Sequence, residues 1–150
     1  MFKRVLIANR GEIAIRIARA ASALGVESVS VYAPADALSL HIRVTTESCE
    51  IGSSRGPSGD PVRAYLDIEA LIEAAKTNRC DCIHPGYGFL SENAGFAKRC
   101  LQESIAFIGP RPETLALFGD KTNARSLARS LDIPIIPGSS TALASVEDAL

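Results

Sequence analysis

A short apolar run, a helical stripe and a β-branched run follow one another between Arg4 and Tyr32. Arg4-Val5-Leu6-Ile7-Ala8 has no polar alternation and suits a strand buried on both faces. From Glu12 to Leu24, the apolar residues Ile13, Ile17, Ala20, Ala21 and Leu24 recur at three and four positions, while Glu12, Arg16, Arg19 and Ser22 take the other side. That spacing predicts an amphipathic helix, and Gly25 supplies its stop. Val26 to Tyr32 then reads as a second strand. Strand, helix and strand in that order imply a parallel pair joined by a right-handed crossover.

The rhythm breaks and resumes. Ala33 to Thr46, with Pro34 and Asp36, reads as a loop carrying one short helix around Leu38 to Ile42, and Glu50-Ile51 as part of a weak edge strand. Gly52 to Pro61 is too rich in Gly, Ser and Pro for a regular element. Asp67 is expected to cap a helix that buries Ile68, Leu71, Ile72 and Ala75, with Cys82-Ile83-His84-Pro85 as the next buried strand. Ser91 is expected to cap a helix through about Gln102. Ala106-Phe107-Ile108 makes a fifth strand, Pro112 opens a short helix ending near Gly119, and a further helix runs from about Lys121 to Leu131. The fold class is α/β, a mainly parallel sheet flanked by helices, whose ligand face is made by the loops at the carboxyl ends of the strands. Nothing repeats at a period of about 20 to 50 residues, which excludes solenoids. After Asp120 the pattern changes: two prolines interrupt Ile133 to Gly138, and Val146 to Leu150 reads as a helix cut short. We therefore expect one unit over 1–118 and the incomplete start of another over 119–150.

Charge and cysteine usage limit the partners. Sixteen basic against seventeen acidic residues give net −1, too little field to hold nucleic acid or an anionic membrane. No apolar run approaches the roughly 18 residues of a membrane span, and Asn9, Arg10 and Glu12 break the apolar start before it could be a signal peptide. A cytoplasmic chain is expected. Cys49, Cys80, Cys82 and Cys100 suit neither a disulfide framework nor the C-x-x-C spacing of zinc or redox sites, and are expected to be reduced packing residues.

Three segments carry special chemistry. The turn Ala8-Asn9-Arg10-Gly11-Glu12-Ile13-Ala14 stands where a dinucleotide enzyme places G-x-G-x-x-G, but has one of the three glycines, and Glu12 in the first helical turn would repel a pyrophosphate. A structural turn fits these residues better than a nicotinamide or flavin site. In His84 to Asn93, Gly86 and Gly88 flank Tyr87, which either walls a ligand or, with Phe89, covers the core; His84 reads as a strand-end packing residue. Lys121 puts a cation at the first turn of a helix, against the positive end of its dipole. Either Asp120 as N-cap compensates it in solvent, or a bound phosphate does.

Taken together, Ile7 to Ala14, His84 to Asn93, Phe107-Ile108-Gly109-Pro110 and Gly119-Asp120-Lys121 resemble, in order and spacing over almost the whole chain, the N-terminal portion of biotin carboxylases, members of the ATP-grasp enzymes. The resemblance implies a Rossmann-like (pre-ATP-grasp) domain followed by the truncated start of an ATP-grasp domain. It implies a ligase that uses ATP, Mg2+ and bicarbonate to carboxylate biotin on a biotin carboxyl carrier protein or domain. A carboxyltransferase subunit or domain would then pass the carboxylate to an acyl-CoA such as acetyl-CoA or propionyl-CoA, to pyruvate, or to urea. Residue by residue, Lys121 matches an ATP-contacting lysine; Tyr87, with Gly88 and Glu92 near it, matches the surroundings of the biotin and bicarbonate pocket. Arg16 and Arg19 lie where the family makes a subunit contact in a homo-oligomer, although Ala23 replaces the glutamate that partners them. No catalytic residue and no metal ligand of the family falls within 1–150, so the 150-residue chain alone is expected to be inactive. The alternatives are a dinucleotide-binding domain of an oxidoreductase and a structural or dimerisation module.

Overall fold

The apolar and β-branched runs form five strands in a computed structural model that describes residues 1–52 and 61–136: β1 Arg4–Ile7, β2 Glu27–Tyr32, β3 Glu47–Glu50, β4 Cys82–His84 and β5 Ala106–Phe107. All are parallel, in the order β3-β2-β1-β4-β5. The helices are α1 Gly11–Ala23, α2 Pro61–Ala64, α3 Ile68–Thr77, α4 Ala94–Gln102, α5 Pro112–Gly119 and α6 Lys121–Ser130. The chain leaves β1 towards β2 on one side and returns to β4 on the other, so the point where the strand order reverses lies between β1 and β4.

The two-residue period of β1 divides the core. Leu6 and Ala8 join Leu71, Ile72, Ala75, Phe96 and Cys100 under α3 and α4, whereas Val5 and Ile7 join Ala14, Ala18 and Ala21 of α1. Phe96 and Phe107 meet edge to face with centroids 5.7 Å apart, fixing α4 on β5. Burial pushes the Cys80, Cys82 and Cys100 thiols up to about 12, as packing cysteines should behave, and all four cysteines are unpaired.

Several local expectations need correction. The buried stripe of α1 is Ala14, Ala18 and Ala21, flanked by half-buried Ile13 and Ile17; Ala20 and Leu24 are exposed. Small residues let the helix lie close on the sheet, which turns the larger Leu24 outward to the rim of an open apolar groove of about 450 Å³ beside Phe2 and Ile108. The second strand starts at Glu27, and the edge strand is Glu47–Glu50, prolonged by the Ile51 N–H bond to the Tyr32 carbonyl. The stretch read as a loop with one helix holds two tight 3-10 turns, Pro34–Asp36 and Leu40–Arg43. The cap of α4 is Asn93, whose backbone is extended (φ −88°, ψ 105°) and whose Oδ1 accepts the Phe96 N–H at 2.8 Å; Ser91 lies two residues earlier, within the preceding turn. Asp67 and Asp120 cap α3 and α6 as expected, accepting from Ala70 and Asn123. Most of the Gly52 to Pro61 loop, the end of the proline-interrupted stretch and Val146 to Leu150 lie outside the described residues.

Candidate functional site

Both glycine-bearing loops end at the point of strand reversal, and Asn9 joins them. It lies two residues past β1 and is 2% exposed, so its carboxamide must find protein partners. Nδ2 donates to the carbonyls of Pro85 at 2.8 Å and Tyr87 at 3.0 Å, and Oδ1 accepts the Arg10 N–H at 3.0 Å. The opposite orientation of the amide would set an oxygen against two carbonyls, which excludes it. Gly86 makes the approach possible: its φ is +71°, and a Cβ there would stand 2.5 Å from Asn9 Nδ2 and 2.8 Å from Ile13 Cγ2. His84 completes the turn, its Nδ1 accepting the Gly86 N–H at 3.0 Å, and burial lowers its pKa so that the ring stays neutral for that role.

Arg10 points the other way. Its Nε donates to Asp36 Oδ2 at 2.7 Å and its Nη2 to Asp36 Oδ1, a bidentate pair at the exit of β2. Tyr65, 1% exposed, donates its hydroxyl to Asp36 Oδ2 at 2.7 Å and accepts the Ala33 N–H at 3.0 Å. The Arg10 hydrogen bonds, helped by that of Tyr65, hold the Asp36 carboxyl below the usual carboxylate range against the opposing effect of burial. Burial pushes the Tyr65 phenol up. The Tyr65 ring lies beneath the Arg10 guanidinium at 5.9 Å and stacks on Phe89 at 5.5 Å and 17°. Phe89 holds a left-handed φ of +45°, uncommon for a bulky residue, and that stack keeps it there. Deeper under the same turns, His41 is fully buried, with Nε2 3.3 Å from the Val31 carbonyl, and desolvation lowers its pKa.

Phe89 thus faces the core, and Tyr87 does not: it is 80% exposed. Gly88 and Glu92 are exposed beside it. A hollow of about 280 Å³ lined by Glu92, Pro110, Thr114, Leu115, Phe118 and Gly119 joins this loop to the end of α5. Lys121 starts α6 two residues further on, exposed, behind the Asp120 cap. Through Glu92 the loop approaches Gly119 at the end of α5, two residues before the lysine. Arg16 and Arg19 are elsewhere, exposed on α1, with Arg16 at the rim of the groove beside Phe2 and Ile108 and 3.8 Å from Glu12 one turn back. Among the described residues, no three His, Cys, Asp or Glu side chains gather as a metal ion would require.

The residues 1–115 match the model of the biotin carboxylase N-terminal domain. The chain belongs to that family. It is 48% identical to biotin carboxylase 2 of Bacillus subtilis over 149 residues, 99% of this chain and 32% of that protein. It is 52% identical to the pyruvate carboxylase of the same organism over 137 residues, 91% of this chain and 12% of that one. The biotin carboxylase domain dimer of the Hydrogenobacter thermophilus 2-oxoglutarate carboxylase, solved with MgADP, ADP and bicarbonate, superposes with a TM-score of 0.90 at 39% identity, covering 99% of this chain and 32% of that one. The chain thus spans about a third or less of the relatives it matches. These relatives lend no support to the dinucleotide-enzyme alternative, and the stapled Asn9 turn accounts physically for its missing glycines. Asn9, Asp36 and Tyr65 were not identifiable as a cluster from sequence. The one available signal was a polar pair, Asn9-Arg10, directly after a buried strand, where side chains need partners.

Proposed function

We propose that this chain is the N-terminal part of a biotin carboxylase, a ligase that carboxylates carrier-bound biotin at the expense of ATP and bicarbonate. The family match over 1–115 carries the reading, and the neighbour solved with MgADP and bicarbonate supports its choice of ligands. In this reading Lys121 contacts ATP: a phosphate oxygen would receive its charge together with the positive end of the α6 dipole. Tyr87, Gly88 and Glu92 border the biotin and bicarbonate pocket, with the exposed Tyr87 ring as a flat apolar wall. Bound Mg2+ would neutralise phosphate charge during transfer. Its ligands are proposed to come from the part of the carboxylase that the relatives carry outside the matched region.

The domain boundary belongs near Phe118, since α5 still buries Leu115 and no α6 residue is buried. The full protein would act in the cytoplasm with a biotin carboxyl carrier and a carboxyltransferase, the latter choosing an acyl-CoA or pyruvate as acceptor. Arg16 and Arg19 on exposed α1 are proposed to serve a subunit contact, a reading favoured by the dimeric neighbour. The test is bicarbonate- and biotin-dependent ADP release by the full-length polypeptide. Loss of that activity in Lys121→Ala through a raised ATP KM supports the assignment; an unchanged ATP KM, or a full-length protein with no biotin-dependent turnover, overturns it. The 150-residue chain alone should be inactive.

A further inference from the structure

We infer that Asn9 is the positioning residue that sets the pose of Tyr87 and Gly88 at the biotin and bicarbonate pocket. The inference rests on the assignment of that pocket in the proposed function, and goes beyond it by naming the group that holds the pocket's wall in place.

Tyr87 is 80% exposed, and an exposed ring between two glycines has no packing of its own to hold it. The order must come from the backbone beneath. Asn9 supplies it directly, because its Nδ2 holds the carbonyls on both sides of Gly86, at 2.8 Å to Pro85 and 3.0 Å to Tyr87. The amide is itself immobile: buried to 2%, with its Oδ1 engaged by the Arg10 N–H at 3.0 Å. A second anchor acts two residues on, where Phe89 stacks on Tyr65 at 5.5 Å, and Tyr65 is locked by Asp36, the partner of Arg10. Adjacent residues of one turn, Asn9 and Arg10, therefore restrain the loop before and after Tyr87-Gly88. The Asn9 amide is buried and fully engaged by the loop and Arg10 N–H, and the Arg10 guanidinium is engaged by Asp36, so the role is positioning. Misplacement of a reacting or binding group by about 1 Å is enough to lower a rate about a hundredfold.

The test uses the full-length carboxylase with free biotin as acceptor. Asn9→Asp keeps the size and the oxygen that accepts from Arg10, but removes both donors and sets a carboxylate against two carbonyls. Gly86→Ala is the second variant: it leaves Asn9 in place and pushes the loop off it through a Cβ 2.5 Å from Nδ2. Expected for both is a biotin KM raised about tenfold or more, with the ATP KM unchanged. Ile72→Val, a core truncation on α3, provides the stability control and should leave the biotin KM within about twofold of the parent. Tyr87→Ala reports on the pocket itself. If Tyr87→Ala raises the biotin KM while Asn9→Asp and Gly86→Ala do not, the positioning role is refuted and the pocket stands. If Ile72→Val raises it as much as they do, the effect is loss of stability and the inference is likewise overturned. If Tyr87→Ala has no effect, the pocket assignment fails and the inference with it. Should Asn9→Asp not accumulate as folded protein, Gly86→Ala alone decides by the same criteria.

Discussion

Replacing Tyr65 by Phe removes one oxygen from the interior and leaves the ring, its stack on Phe89 and the cation above it in place. Tyr65 and Ala33 are each 1% exposed and Asp36 is 5% exposed, so water cannot substitute for the lost hydroxyl. The Ala33 N–H loses its acceptor, at a cost of about 1–3 kcal/mol for a stranded buried donor, and Asp36 loses a charge-assisted bond of similar worth. Allowing for overlap, Tyr65→Phe should destabilise the chain by about 3 kcal/mol, or roughly 10 °C in Tm for a domain of this size. The assay is thermal unfolding by circular dichroism, with Asp36→Asn and the double variant completing a cycle. Contacting residues should show a coupling of about 0.5–3 kcal/mol. The pH dependence has a definite sign. A carboxyl depressed in the folded state contributes stability above its unfolded pKa and loses it as pH falls through the lower folded value. Tyr65→Phe brings Asp36 back towards its ordinary range, so the gap between parent and variant should be widest near neutrality and narrow below about pH 4. A shift under about 2 °C with an additive cycle would refute the buried Arg10–Asp36–Tyr65 network.

Other perturbations separate the remaining roles. Asn93→Ala should cost about 1 kcal/mol through loss of the α4 cap, and Ser91→Ala should stay within about 0.5 kcal/mol, both read by urea denaturation. His41 and His84 have pKa values lowered by burial, so the unfolded chain binds more protons below about pH 6.5 and the Tm should fall as the pH drops from that value. His41→Gln, which retains a donor for the Val31 carbonyl but does not titrate, should flatten that slope; an unchanged slope would assign it to other groups.

The α/β class and the parallel order were legible because they follow from local patterns: the unbroken apolar run at Arg4 to Ala8, the stripe on α1, and the caps at Asp67 and Asp120. Where the reading slipped, a tertiary contact outweighed a local preference. Ser91 is as good a cap residue as Asn93 by type, but only Asn93 holds the extended backbone next to the first helical turn, and only the folded loop reveals which of the two begins the helix. Leu24 fits the helical stripe, yet the alanines at 14, 18 and 21 bring α1 so near the sheet that a leucine one turn on points past its edge. The exposed residues of the proposed site, Tyr87 and Lys121, were visible because they break local rules. Arg10, Asp36 and Tyr65 break none: an arginine after a strand, an aspartate in a turn and a tyrosine before a helix are each unremarkable, and their meeting over 26 and 29 positions is a property of the sheet order.

That sheet order also explains what became of the first turn. In a dinucleotide site the crevice between the central strands is kept open, and glycines allow a pyrophosphate to lie against the backbone. Here the residues after β1 send their side chains in opposite directions, Asn9 onto the loop after β4 and Arg10 onto the exit of β2, so the carboxyl edge of the three central strands is tied together. A position that elsewhere admits a ligand acts here as scaffold, and the ligand contacts proposed above fall outward of it, at Tyr87 and at the helix start at Lys121. Asn9→Gly would not restore a nucleotide site: it would release both carbonyls of the Tyr87 loop, while Glu12 would still face any phosphate from the first turn of α1.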